Sequence, residues 1–191
     1  GNVQKDGQVR AVASGALTDG APVIVNANGT VTKVQIVSSD ISAATGSTAT
    51  FESARCDYMD ATYDTVRDRI FIAYRDRANS NYGTAVVGTV TGTSISFGTP
   101  VVFNSANSSF MRTGFSTQDT DGNSHNKCII VYRDEGNSGY GNAIAGTIAA
   151  DDSVTFTSER QWSNSEGVEE LDFAIDTSDS AFGVITYKSS S

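Results

Sequence analysis

The stretch "IAYRDRANSNYGTAVVGTV" occupies residues 72–90, and "IVYRDEGNSGYGNAIAGTI" occupies residues 130–148. Tyr74, Arg75 and Asp76 of the first align with Tyr132, Arg133 and Asp134 of the second. Asn79, Ser80, Tyr82 and Gly83 align with Asn137, Ser138, Tyr140 and Gly141, and Gly88-Thr89 with Gly146-Thr147. Outward from there, a one-residue slip brings Phe97 onto Phe156, and "FESA" (51–54) resembles "FNSA" (103–106). "WSNS" (162–165) opens a third copy, which reaches "VITYKSSS" (184–191) with Tyr187 and Lys188 in place of Tyr and Arg. Self-similarity at a period of about 50–60 residues marks a propeller, a solenoid or an array.

Inside a copy the apolar period is two. In "RIFIAYRD" (69–76), Ile70, Ile72 and Tyr74 share one face, and Phe71, Ala73 and Arg75 the other. Both faces are apolar until the strand ends, as a strand covered on both sides requires. "GTAVVGTV" (83–90) and "SISF" (94–97) read as a hairpin, and an earlier strand is expected near "CDYMDATYD" (56–64). One copy thus carries about four short antiparallel strands, the content of a propeller blade. No segment reads as an amphipathic helix. "NSNYG" and "NSGYG" fall between the second and third strands, where Asn and Gly supply the positive φ of a tight turn. Tyr82 and Tyr140 can pack over those turns. The competing reading is a glycan-binding rim formed by Asn79, Tyr82, Asn137 and Tyr140.

Residues 1–46 differ. "VRAVASGALTDGAPVIVNANGTVTKVQIV" (9–37) alternates, with Asn28-Gly29 between two strands as in a type I′ hairpin. "SSDISAATGSTAT" (38–50) has the small polar residues of a linker. The expected fold is all-β: a small N-terminal hairpin module at 1–46 for attachment or assembly, then propeller-like four-stranded repeats over 47–191. Their copies fall at about 51–102, 103–161 and an incomplete 162–191.

The 191 residues allow one large or two small domains, and hydrophobic residues make up only 38%. Ser, Thr, Asn and Asp compete with helical hydrogen bonds and favour strands joined by turns. A net charge of −9 would repel nucleic-acid phosphates. No run approaches the roughly 18 apolar residues of a membrane span. The start at Gly1 without Met, with no signal peptide, points to processing or a partial chain. Cys56 and Cys128 sit at non-equivalent positions without CxxC spacing and read as two unpaired buried thiols, with a disulfide as the other reading.

"VASGALTDGAPVIVNANGTVTKV" (12–34) followed by "YRD…NSNYGTAVVGTVTGTSISFGTPVVF" resembles a repeat protein common in aquatic bacteriophage genomes. Such proteins are described as virion structural or tail-fibre-like proteins with tandem YRD–NSNYG units. The resemblance runs from about residue 9 to the end and is densest at Tyr74-Arg75-Asp76 and residues 79–83. The second copy departs by the insertion "STQDTDGNSHNK" (116–127), the third by Lys188. The resemblance implies an extracellular assembled structure, on a virion or a cell-surface fibre, whose partners are its own or other virion or fibre subunits. It transfers no catalytic residue.

Chemistry-bearing groups are sparse. The one histidine, His125, lies among Asn and Ser with no nucleophile elbow around it, and reads as an exposed loop residue. The carboxylates are scattered over turns, which leaves a glycosidase pair little support. In "DTDGN" (119–123), Asp119, Asp121 and Asn123 alternate and can turn three oxygens toward one Ca²⁺. Gly122 comes one place early for an EF-hand loop, no Glu closes the site, and Asp-Gly is equally an ordinary turn. No other cofactor is indicated. Arg75 and Asp76, being adjacent on a strand, point to opposite faces, so each arginine is expected to reach a carboxylate or carbonyl of a neighbouring copy. The third copy stops before its NSNYG turn. Either more repeats follow in the native polypeptide, or another subunit supplies the strand by β-augmentation into a ring or filament, with residues 1–46 as donor.

Overall fold

β-Branched and aromatic residues at alternate positions, broken by Gly, Asn and Asp, build strands throughout. The computed structural model describes residues 12–17, 23–28, 30–33, 46–65, 67–115, 126–164, 166–175 and 183–190. These are all-β, with one short 3-10 turn at Glu135–Asn137. Among them no helix is long and apolar enough to cross a membrane. The chain divides into two compact units, 1–44 and 45–191.

In the first unit, β1 (Val12–Ala13), β2 (Val23–Val25) and β3 (Thr30–Lys33) form one sheet in the order β1-β3-β2. β2 and β3 are antiparallel and β1 runs parallel to β3. Their hairpin closes with the Asn26 N–H donating to the Thr30 carbonyl at 2.8 Å. Asn28 Oδ1 accepts from the Thr30 N–H at 3.1 Å, while Gly29 lies outside the described residues. Val23 and Val25 remain exposed.

The second unit begins with β4 (Cys56–Asp64), β5 (Arg69–Asp76), β6 (Tyr82–Thr91) and β7 (Ser94–Phe97). There follow β8 (Val101–Phe115), β9 (Lys127–Asp134), β10 (Tyr140–Ile148), β11 (Val154–Phe156) and β12 (Arg160–Gln161). β13 (Val168–Ile175) and β14 (Gly183–Ser189) close the series. The main sheet runs β11-β10-β9-β8-β6-β5-β4, with β7 on β6 and β12 on β10, and all its pairings are antiparallel.

Each of the first two copies is a four-stranded meander. In copy one the fourth strand is β7 plus the start of β8, bridged where the Gly98 N–H donates to the Val87 carbonyl at 2.8 Å. Copy two repeats this with β11 and β12, bridged by the Thr157 N–H on the Ala145 carbonyl at 2.9 Å. The copies are not parted by a loop. β8 is 15 residues long; it pairs with β6 over 101–107 and with β9 over 108–115. The boundary expected between residues 102 and 103 therefore falls inside one strand.

The first strands of the three copies share an irregularity absent from the sequence reading. β4, β8 and β13 each carry a bulge, at Asp57/Asp60, Ser109/Arg112 and Glu169/Asp172. In each bulge one residue has φ 50: Tyr58, Phe110 and Glu170. A bulge of two residues against one sharpens the local twist. β4 lies alongside β8, and β8 alongside β13. Asp60 Oδ2 accepts from the Thr113 N–H at 2.7 Å, and Arg112 Nε donates to Asp172 Oδ1 at 3.2 Å across these two contacts.

Two core clusters lie between copies, and a third, Ile72, Tyr74 and Val86 with Phe51, Cys56, Ile70 and Phe97, lies within copy one. Phe71, Ala73, Ala85 and Val87 on one face of copy one pack with Met111, Phe115, Cys128, Ile130, Tyr132 and Ile144 of copy two. The other face of copy two brings Val131 against Val168 and Leu171 of copy three. Both cysteines are free; Cys128 is buried, whereas Cys56 is only half-buried, a correction to the expectation of two buried thiols. Burial raises both thiols, Cys56 to about 11 and Cys128 to about 12, so neither is a thiolate at neutral pH.

Candidate functional site: the joint between copies

The YRD–NSNYG segment forms the joint at which one copy meets the next. Asp76 Oδ1 accepts from the Ala78 and Asn79 N–H groups at 2.9 and 3.1 Å, and Asp134 Oδ1 from the Gly136 N–H at 2.9 Å. These side-chain acceptors start the turns as a backbone carbonyl would. The left-handed positions are Ser80 and Asn81 in copy one and Ser138 and Gly139 in copy two, so Asn79 and Asn137 are not the positive-φ residues. The turn then meets the next copy. The Asn81 carbonyl accepts from the Ser108 N–H at 3.2 Å, and the Gly139 carbonyl from the Val168 N–H at 2.9 Å. Tyr82 pairs with Asn107, and Tyr140 with Gly167, at matching places.

Both repeat arginines cross the joint, and neither pairs with the aspartate beside it on the strand. Arg75 donates to Asn107 Oδ1 at 3.2 Å and to Asp57 Oδ2 of its own copy at 2.9 Å, with its guanidinium 4.3 Å from the centre of the Tyr58 ring. Arg133 donates to the Val168 carbonyl at 3.1 Å and pairs with Glu135 at 3.2 Å. Asp57 also receives Arg55 and Arg77. The Arg75 guanidinium, helped by Arg77 and Arg55, holds its carboxyl well below the usual range, at about 2.

A three-fold aromatic clasp sits beside the turns. Phe51 meets Tyr74 edge-on with centroids 5.1 Å apart, Phe103 meets Tyr132 at 5.0 Å, and Trp162 meets Tyr187 at 5.0 Å. The leading aromatic also rests on a glycine of the copy before it. A Cβ on Gly83 would lie 2.5 Å from the Phe103 ring, and one on Gly141 would enter the Trp162 ring. Gly83 and Gly141 are therefore required by close approach. Tyr132 is buried and its hydroxyl donates to Glu159 Oε2 at 2.5 Å; burial first, then that carboxylate, raise its ionisation well above the ordinary phenol range.

Of the proposed rim residues, Asn79 and Asn137 are exposed while Tyr82 and Tyr140 are half-buried, their backbones engaged in the joint. The Asn79 carbonyl accepts from the Tyr82 N–H at 2.9 Å, and Asn137 Nδ2 donates to Gln161 Oε1 at 3.3 Å. The turn tyrosines thus join copies through main chain. Asp119, Asp121, Asn123 and His125 lie outside the described residues. Among the described residues no group of three His, Cys, Asp or Glu side chains is placed to hold a metal ion. The carboxylates at the joint are engaged: Asp57 by three guanidiniums, Asp76 and Asp134 by turn amides, Glu169 by Lys188 at 3.0 Å. Such an arrangement fixes geometry. The clasp was legible in part, since FESA, FNSA and WSNS align, but their rings meeting the repeat tyrosines was not read from the sequence. Comparison with family models, with curated proteins and with solved structures returns no match to the chain.

Proposed function

We propose that the chain is a non-enzymatic structural protein of an extracellular assembly, a phage virion appendage or tail-fibre-like protein, built from propeller-like β repeats. The observation that carries this reading is the recurrence of one joint: aromatic clasp, bulge and crossing arginine return at equivalent positions where copy meets copy. First strands packed side by side, with each fourth strand leading into the next copy, favour the propeller-like arrangement over a plain array. Recurring joints suit a scaffold whose copy number sets its reach. The partners are fellow subunits of the virion or fibre, with neither nucleic acid nor membrane engaged. The test is immunogold electron microscopy of the native assembly with antibody to residues 47–191. Label on virions or fibres is expected; label confined to dispersed protein overturns the reading.

A second reading, binding of a cell-surface glycan, draws on the exposed Asn79 and Asn137 beside half-buried Tyr82 and Tyr140. A glycan array decides it: binding that is lost in Tyr82→Ala and Tyr140→Ala variants that stay folded would place recognition on this rim.

A further inference from the structure

Three places that the repeat makes equivalent carry unequal charge. In copy two, Arg133 pairs with Glu135 at 3.2 Å, and Ser109 Oγ donates to the same carboxylate at 2.7 Å. In copy three, Lys188 pairs with Glu169 at 3.0 Å. Each of these is one cation on one carboxylate. In copy one, Arg55, Arg75 and Arg77 all converge on Asp57. Aligned on the bulges, Arg55 stands where the later copies have Asn107 and Gly167; aligned on the repeat tyrosines, Arg77 stands where they have Glu135 and Ser190. Those copies build the same clasp and bulge without the two extra guanidiniums, so the fold does not require them.

Arg75 is the buried member, its side chain 11% exposed and its guanidinium against the Tyr58 ring. The side chains of Arg55 and Arg77 are 73% and 39% exposed. Each donates to Asp57 through Nε, and among the described residues their terminal amino groups have no acceptor. Two guanidinium forks therefore stand open to solvent on one spot of a chain whose net charge is −9. The nearby Glu52 and Asp76 are turned to backbone amides, those of Ala54 and of Ala78 and Asn79. Tyr58, 42% exposed, adds ring surface to the same spot. Asn107 is exposed and gives only its Oδ1 to Arg75, which leaves its Nδ2 without an acceptor among the described residues.

We infer that Arg55 and Arg77, with the Tyr58 ring and the Asn107 amide, form a binding site for an acidic saccharide, a pyranose bearing a carboxylate or a sulfate. Guanidinium forks take such oxyanions through two parallel N–H bonds. An exposed tyrosine ring offers an apolar face to the C–H surface of a sugar, and an amide N–H donates to a hydroxyl. A polyanion is repelled by most of this chain and is drawn to the one place where cations outnumber the carboxylate they share. The site goes beyond the assembly reading and does not rest on it. It is also separate from the Tyr82 and Tyr140 rim, because copy one alone carries it.

The test is isothermal titration of the complete 191-residue chain at low ionic strength with three hexasaccharides: one of galacturonic acid, one of sulfated galactose and one of neutral galactose. Saturable one-to-one binding of an acidic probe is expected, weakened by added sodium chloride, with none of the neutral one. Which acidic probe binds tells carboxylate from sulfate. The double variant Arg55→Gln, Arg77→Gln is expected to keep its melting temperature and to weaken binding at least about tenfold. Tyr58→Asn, a residue type at home in left-handed backbone, is expected to weaken the saccharide as well. Binding of neither acidic probe, equal binding of the neutral one, or full binding by the double variant overturns the proposal. So does binding that survives in the double variant and is lost in Tyr140→Ala, which hands recognition to the turn rim. Labelled virions together with no saccharide binding would keep the assembly reading and discard this one.

Discussion

A methyl group added at Gly141 has nowhere to go, because the Trp162 indole lies against that Cα. Gly141→Ala is expected to destabilise the second unit by about 1–3 kcal/mol through overpacking, read as a lowered urea midpoint with unchanged m. Gly83→Ala, under Phe103, should behave alike. Neither glycine is at positive φ, so only the aromatic above them explains the requirement. Asp57 makes a different kind of prediction. Its folded pKa is depressed below the unfolded value, so its contribution is complete above about pH 4 and is lost as pH falls through about 2. Asp57→Asn should flatten the acid limb of stability between those values, measured by unfolding at a series of pH values. The sequence led to the expectation that Arg75 reaches a neighbouring copy, as its bond to Asn107 does, but not that it and Asp57 belong together. Strand register across a bulge decides that pairing.

Among elements, the three bulged first strands show how much local pattern fails to report. Alternation predicts β4, yet an extra residue with left-handed backbone interrupts β4, β8 and β13 alike, at residues as different as Tyr58, Phe110 and Glu170. No common residue type marks the place, so the sequence comparison passes over it. Glu170 is exposed, and Glu170→Gly should relieve the left-handed strain, leaving stability unchanged or raised by up to about 1 kcal/mol in thermal unfolding. The clasp makes the stronger demand. Phe103 bridges Gly83 of one copy and Tyr132 of the next and is nearly buried, so Phe103→Ala should cost about 3–5 kcal/mol. Phe51→Ala should cost visibly less in the same denaturant titration, since Phe51 is half-buried. The strands and the NSNYG turns were readable because apolar period and turn chemistry act locally. The clasp needs contacts between residues more than twenty positions apart, which periodicity does not encode.

Over the whole second unit, the largest core cluster is shared, joining one face of copy one to one face of copy two, although copy one also has a smaller cluster of its own around Ile72, Tyr74 and Val86. Calorimetry is therefore expected to give a single transition for copies one and two, with calorimetric and van't Hoff enthalpies equal; two separable transitions would contradict it. The all-β, antiparallel character was legible in the sequence, whereas the expected divide between residues 102 and 103 lies inside β8. Homology marks where a motif restarts, whereas hydrogen bonding marks where a sheet does, and here the two differ by a few residues. That uninterrupted strand has a mechanical consequence. Tension drawn along residues 101–115 must shear the ladders to β6 and β9 together, with no slack connector between copies to unzip first. Load entering one copy is thus handed to its neighbour through main chain, as along a spliced rope.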